Sequence, residues 1–330
     1  MPIRNVSAIL LLLLGLWAAR GTVAPSPSAE ELLRGRKTLA SGRSIYLTSE
    51  MLCEVDSPQV CESSGLVRSV HEPDLLWTHN DSGGAAAIVA FDRAGKIHGV
   101  VNITSAVNRD WEEMTAFRSG GEPWLILADC GNNLLQERNV TLYFLREPSP
   151  HAREVACDFS VEVQLEGGPR NCEAVAVDER DQKIYFVSKV SSGRCEVFEM
   201  PLPKVSARVS QEPTARVAKK IAAPEITLAT GMCISADSDR MVIVNYHDGY
   251  EYCRRPGESW QAALAQSPKK ISLSWRMPQR EAVCFDRDDR SLLMTSEARQ
   301  GFVNSVLGSE LNCKIPLWRV PARVATRNER

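Results

Sequence analysis

Three glutamates stand at the same place in three similar stretches: Glu173 in "NCEAVAVD" (171–178), Glu281 in "QREAVCFD" (279–286) and, more loosely, Glu112 in "DWEEMTAF" (110–117). Each stands at the entrance of an apolar run that reads as a buried strand, where an uncompensated charge is costly. Repeated acids at the mouths of repeated strands imply several carboxylates meeting at one place. Crowded carboxylates raise each other's pKa. Two arrangements relieve them. A hard cation can sit among them, and calcium suits, since it accepts about six to eight oxygen ligands in flexible geometry. Alternatively, basic side chains neutralise them, with Lys189, Arg280 and Arg299 close in the pattern. The blandest reading is that they cap backbone amides and face solvent.

The elements that must position these acids form an internal repeat. "CEAVAVDERDQKIYFVSK" (172–189) serves as template: an acid, an apolar strand, a polar turn, a second apolar strand. Its copies begin at residues 63, 111, 229 and 280. In register, Glu173 is matched by Ser64, Glu112, Thr230 and Glu281, at intervals of 48, 61, 57 and 51 residues. Glu113 can be slid into the place of Glu112. A third strand-like run follows each pair ("AAIVAF", "VTLYFL", "CEVFEM", "YEYC", "IPLWRV"), and a fourth follows in most units. Four antiparallel strands recurring in this way predict an all-β fold, a β-propeller of five four-stranded blades. A sixth blade stays open if 146–172 hides one, and two β-sandwiches are the competing architecture. The last unit lacks its fourth strand; "RSIYLTS" (43–49) is expected to supply it and close the ring, hiding sheet edges. The propeller is placed at 38–325, with polar segments at 22–37 and 326–330.

In such a blade the first strand lines the central channel. Its start and the end of the second strand lie on the same face of the disc. The ring Ser64, Glu112, Glu173, Thr230 and Glu281 is thus the candidate metal set, for calcium. The second-strand ends add His79, Asp81, Asp129, Lys189, Tyr246, His247, Asp248 and Glu297 to the same mouth. Among these, Asp81, Asp129 and His247 are the candidate general bases. Zinc fits less well, because the five histidines are scattered and there is no HExxH. Nucleophilic serine chemistry has no GxSxG elbow, and Ser82 in "NDSGG" reads as a turn residue. Phosphate-loop and dinucleotide fingerprints are absent.

"LWTHNDSGG", "NRDWEEM", "LADCGNN" with a later Arg and "LREP", and "NCEAVAVD" together resemble a group of exported bacterial propeller proteins. That group's wording is WTHNDSG, DWEDIA, GDIGDN with a downstream Arg and EP, then DAEAL. The match spans about residues 60–300 in the same motif order. Much of the group is uncharacterised; it is similar in turn to phytase-like and lactonase-like secreted propellers, whose members often hold calcium. The chain departs from the pattern at Asn132, Asn171 and Glu113, where the group has Asp; an amide keeps a ligand oxygen without the charge. The ring order is also similar to that of five-bladed calcium-dependent apyrases, which implies an axial calcium and not the nucleotidase activity.

Residues 1–21 read as a signal peptide: Arg4, an apolar run from Val6 to Ala19, and a small-residue end, too short for a span. This predicts a secreted or periplasmic protein with no later membrane span. With 39 basic and 41 acidic residues, the chain is a poor nucleic-acid binder. Ten cysteines with no CxxC permit disulfides in an exported chain, and Cys53–Cys61 is the expected pair. Two functions follow. One is a calcium-dependent hydrolase of a phosphate ester, nucleotide or lactone. The other is a non-catalytic propeller that binds a small-molecule or protein ligand at the mouth, with a structural cation or a salt-bridged ring. The oligomeric state is not legible.

Overall fold

Short apolar runs bounded by turn residues become strands throughout. The computed structural model describes residues 45–205, 216–274, 276, 279–296 and 313–323. The expected signal peptide, the polar segment 22–37, the tail 326–330, Glu297 and Arg299 lie outside the described residues. Strand β1 (Glu50–Asp56) precedes the first repeat. Blade 1 is β2 (Ser63–Arg68), β3 (Leu75–Asn80), β4 (Ala87–Asp92) and β5 (Ile97–Ile103). Blade 2 begins with β6 (Trp111–Ser119), β7 (Glu122–Asp129) and β8 (Val140–Arg146). The two-residue β9 (Glu154–Val155) then pairs parallel to β5, and β10 (Phe159–Leu165) completes blade 2. Thus 146–172 adds no sixth blade. Blade 3 is β11 (Cys172–Asp178), β12 (Lys183–Ser188), β13 (Val197–Pro201) and β14 (Arg216–Ala222). Blade 4 is β15 (Ala229–Ile234), β16 (Arg240–Asn245), β17 (Asp248–Cys253) and β18 (Lys269–Ser272), with the short helix α1 (Trp260–Leu264) before its last strand. Blade 5 is β19 (Arg280–Phe285), β20 (Leu292–Ser296), β21 (Lys314–Val320) and β1.

The protein is therefore a five-bladed β-propeller. Its inner strands β2, β6, β11, β15 and β19 neighbour one another in turn, and β19 returns to β2, which closes the ring. Burial follows from this placement. Strand β11 is buried at every residue, whereas the outer β10 alternates exposed positions with half-buried or buried ones. The interior lies between blades. Val175 and Val177 pack with Phe117 and Phe144 of blade 2, while Ala174 and Ala176 pack with Met232 and Met241 of blade 4.

Two expectations are corrected. The closing strand is Glu50–Asp56, antiparallel to β21 from Glu50↔Arg319 to Asp56↔Lys314. Of "RSIYLTS", the described residues 45–49 form no strand: Tyr46 makes an isolated bridge to Ala322 beyond the end of β21, flanked by backbone bonds from Leu47 to Pro321 (2.8 Å) and from Arg323 to Ile45 (2.7 Å). An outer strand is half solvated, so its apolar signal (Met51, Leu52, Cys53, Val55) is weaker than that of a run buried on both faces. The disulfide joins Cys61 to Cys313, 252 residues apart, and Cys53 is a free thiol. Cys53 lies within β1, whereas Cys61 lies beyond its end, where the Ser57 amide donates to the Cys313 carbonyl at 3.1 Å. The covalent link therefore fastens the same seam that β1 closes by hydrogen bonding. Replacing both cysteines by serine is expected to lower stability by about 3 kcal/mol, because the unfolded chain regains a long loop. The midpoint of urea unfolding measures this, and an unchanged midpoint would show that strand pairing alone secures the seam.

Candidate functional site

The inner strands share one irregularity. Each is bulged at its second residue, between Ser63 and Gly65, Trp111 and Glu113, Cys172 and Ala174, Ala229 and Gly231, and Arg280 and Ala282. The residues in the bulges are Ser64, Glu112, Glu173, Thr230 and Glu281. A bulge leaves one residue unpaired and re-aims its side chain, so the repeated position has a repeated backbone cause. The bulge also settles the register in blade 2: Glu112 is the equivalent residue and Glu113 is the next one along. All five are buried.

The five side chains have different partners. The Ser64 hydroxyl donates to the Glu112 carbonyl at 2.8 Å. Glu112 shares a side-chain hydrogen bond with Glu173. Glu173 Oε2 lies 3.0 Å from Lys189 Nζ, and its Oε1 accepts from Asn171 Nδ2 at 2.8 Å. The Thr230 hydroxyl is buried with no hydrogen-bond partner among the described residues. Lys189 also donates to the Tyr246 hydroxyl at 2.9 Å. Burial, the largest single influence, opposes its charge, but Glu173, Glu281 and Tyr246 together outweigh it and raise its pKa. Arg280 does not serve the acids: its guanidinium donates to the carbonyls of Tyr246 and Ser274.

One side of the mouth is not neutralised in this way. Asp81, Asp110 and Glu112 bring carboxylate oxygens within 4.8 Å of one another. Burial, opposed by a hydrogen bond from the Ser82 amide and reinforced by Asp110, Glu173 and Glu62, pushes Asp81 up to about 7. Burial, then Glu173 and Asp129, push Asp110 up to about 6, with Arg109 and Lys189 opposing. Glu112 is raised well above the usual carboxylate range by burial, then by Glu173, Asp81 and Asp110. The cluster is built by its neighbours. Asn108 donates to the Asp81 carbonyl at 2.8 Å and accepts from the Trp111 amide at 3.1 Å. The Asp110 carbonyl accepts from the amides of Cys130 (3.2 Å) and Gly131 (3.1 Å). A Cβ on Gly131 would lie well inside 3.0 Å of the Asp110 and Glu112 carboxylates, so glycine leaves the space in which they meet.

The remaining sequence candidates are placed as follows. Asp129 is buried beside Arg109 (3.4 Å) and accepts from the Asp110 amide at 3.0 Å; burial raises its pKa. His247 is exposed next to Tyr246, its amide donating to Asn245. Asp248 pairs outward with Lys270 at 2.8 Å. His79 is a core residue, packed edge-on against Trp111 at 5.6 Å, and burial lowers its pKa to about 4, which keeps it neutral.

Asp110 escaped the sequence reading, and Glu113 had no role there beyond an alternative to Glu112. Asp110 stands two residues before its ring glutamate, where blade 3 has Asn171; comparing those two positions would have found it. Glu113 stands where the other blades have Gly65, Ala174, Gly231 and Ala282. Fully buried, its carboxylate accepts from the amides of Met114 (3.0 Å) and Met232 (3.2 Å) and from the Leu66 backbone. It therefore reaches from blade 2 to blades 1 and 4 across the channel.

No family model matches the chain, and no curated protein matches it. Solved structures do. A glucose dehydrogenase (putative oxidoreductase) from Thermus thermophilus is 10% identical, with 83% of this chain and 100% of that one covered, at a TM-score of 0.48. A gluconolactonase from Xanthomonas campestris is 12% identical, covering 79% and 72%, at 0.43. A chain of a nidogen/laminin complex is 12% identical, covering 71% and 72%, at 0.42. Likeness at this level carries nothing about activity.

Proposed function

We propose that the protein is an exported propeller that holds a hard divalent cation, calcium, at its channel mouth. Asp81, Asp110 and Glu112 are the central ligands, and Ser64, Glu173, Thr230 and Glu281 form the wider ring around them. The observation that supports this is the convergence of three carboxylates within 4.8 Å, with the nearest lysine committed to Glu173. The all-oxygen donor set suits calcium better than zinc. The space above Gly131 and the unpartnered Thr230 hydroxyl fit the same reading. The Cys61–Cys313 disulfide supports an oxidising compartment. Among the described residues no helix is long and apolar enough to cross a membrane.

The reaction we propose is hydrolysis of a phosphate ester, nucleotide or lactone at this mouth. When bound, the cation supplies positive charge that polarises a substrate oxygen. Lys189 and Tyr246 face the same mouth and orient anionic or polar substrate groups. Asp81 is taken up as a cation ligand, so the general base falls to the other candidates at the rim, Asp129 and His247. A second reading, a non-catalytic ligand-binding propeller with a structural cation, is favoured by the Lys189–Glu173 bridge, which neutralises part of the ring without chemistry.

Calcium and EDTA separate these readings. In EDTA, Asp81 and Asp110 titrate at about 7 and about 6 when folded, against 3.8 ordinarily. The folded state then holds more protons than the unfolded state between those limits. The contribution of these groups is full below about pH 4 and lost as pH rises to about 7. The melting temperature in EDTA is thus expected to fall by a few degrees from pH 5 to pH 8, and calcium to reverse that slope. A melting temperature indifferent to calcium at both pH values removes the cation. Calcium-dependent turnover on a panel of esters, nucleotides and lactones, lost in Asp110→Asn, supports the hydrolase. Calcium stabilisation without turnover supports the binding reading.

A further inference from the structure

Six large hydrophobic side chains are exposed among the described residues, and three of them sit on the loops that lead into β6 and out of β7, beside the strand ends that carry Asp110, Glu112 and Asp129: Val107 (67% exposed), Leu134 (74%) and Leu135 (54%). Val107 lies three residues before Asp110, and Leu134 three residues after Gly131. Each is therefore within about 10 Å of chain from the carboxylate cluster. We propose that this lip receives the alkyl chain of a small amphiphile whose anionic head sits at the cation site. The inference rests on the cation reading above and names the ligand class for that site.

The lip is built, not frayed. Asn132 closes the turn on itself: its Nδ2 donates to the Glu137 carbonyl at 2.7 Å, and its Oδ1 accepts from the Glu137 amide at 3.1 Å. The Leu135 amide donates to the Asn132 carbonyl at 2.9 Å. Arg109 ties the turn to the Val107 loop, at 3.4 Å from Asp129 and 3.2 Å from Glu137. Asn171 ties it to blade 3. Its Oδ1 accepts from the Asn132 amide at 2.6 Å, and its Nδ2 donates to Asn133 (3.1 Å) and to Glu173. The turn is thus fastened on both sides to residues that also hold the acids.

Leu135 is held at φ 53°, a conformation that favours glycine or asparagine. Asn132 and Asn133 stand three and two positions away, yet leucine occupies the strained position and points its side chain to water. Such strain persists where the surroundings enforce it, and here the surroundings present two adjacent leucines beside a site for an anion-binding cation. The charge of the head and the apolar character of the lip together fix the ligand class. A free phosphate would leave the lip bare, and a purely apolar ligand would leave the cation unused.

The test uses the calcium-loaded full chain in isothermal titration with inorganic phosphate, butyl phosphate and octyl phosphate, the last below its micelle threshold. Octyl phosphate is expected to bind at least tenfold more tightly than butyl phosphate, since each buried methylene adds to affinity. Leu134→Ser/Leu135→Ser should abolish that difference, with calcium affinity as the folding control. Equal affinity for butyl and octyl phosphate, or binding of neither, overturns the proposal even when calcium binds normally. A chain-length gain that needs no calcium keeps the lip and sinks the cation reading. Two other occupants are read in parallel. Co-sedimentation with phosphatidylcholine/phosphatidic acid vesicles, lost in the double variant and without a gain for octyl phosphate, makes the occupant a membrane surface. Concentration-dependent dimerisation lost in that variant makes it a second copy of the chain. Either overturns the small-amphiphile assignment.

Discussion

Alanine at Gly131 is expected to weaken calcium binding about a thousandfold, or about 4 kcal/mol, while the propeller stays folded. The new methyl would fall well inside 3.0 Å of Asp110 Cγ, Asp110 Oδ2 and Glu112 Oε1. These are the ends of side chains, so the carboxylates can swing away and the blade need not open. The loop itself cannot retreat, because the amides of Cys130 and Gly131 both donate to the Asp110 carbonyl. Gly131 is not among the glycines at positive φ, so alanine brings no backbone strain there. The whole cost therefore falls on the geometry of the two proposed ligands. Calcium titration calorimetry gives the affinity, and the melting temperature in EDTA, expected within a few degrees of the parent, shows that the fold survives. An alanine variant with parental calcium affinity would mean that Asp110 and Glu112 do not hold the ion together.

Much of this was legible in the sequence because a propeller writes its geometry periodically. The ring position was readable at Ser64, Glu112, Glu173, Thr230 and Glu281, since a bulge recurs there in every blade and needs a residue that tolerates the channel. What escaped was aperiodic. Asp110 has an acid's role in one blade only; its blade 3 counterpart, Asn171, became a hydrogen-bond organiser. The closing strand β1 belongs to no repeat copy, and its half-solvated pattern gave a weaker signal than the inner strands. The Cys61–Cys313 link depends on where the two ends of the ring meet, which chain order alone does not state. His79 looked like a mouth residue because it adjoins Asp81, but strand alternation turns it into the core beside Trp111.

Glu113→Ala is expected to destabilise the protein by about 5 kcal/mol, the largest stability effect of any substitution considered, although Glu113 is not itself a proposed ligand of the cation. Each inner strand is hydrogen-bonded on its outer side only, so its inward edge presents amides to the channel with no partner strand. Glu113 satisfies such amides in three blades at once: Met114 in its own, Met232 in blade 4 and Leu66 in blade 1. The glycines and alanines at the four equivalent positions leave room for it to cross. Removing the carboxylate leaves buried donors that cost about 1–3 kcal/mol each. Burial raises the Glu113 pKa, and the neutral acid, like glutamine, carries one donor group beside its acceptor oxygen, so Glu113→Gln is expected to lose only about 1 kcal/mol. Urea unfolding with both variants measures the difference. A loss below about 1 kcal/mol for alanine would show that water entering the channel replaces the carboxylate. The expected ordering, alanine well below glutamine and glutamine below the parent, would instead make Glu113 the side chain that fastens the blades at the axis. Burial raises the Glu113 pKa well above the usual carboxylate range even against these three amides, so the acid is held neutral and needs no basic partner.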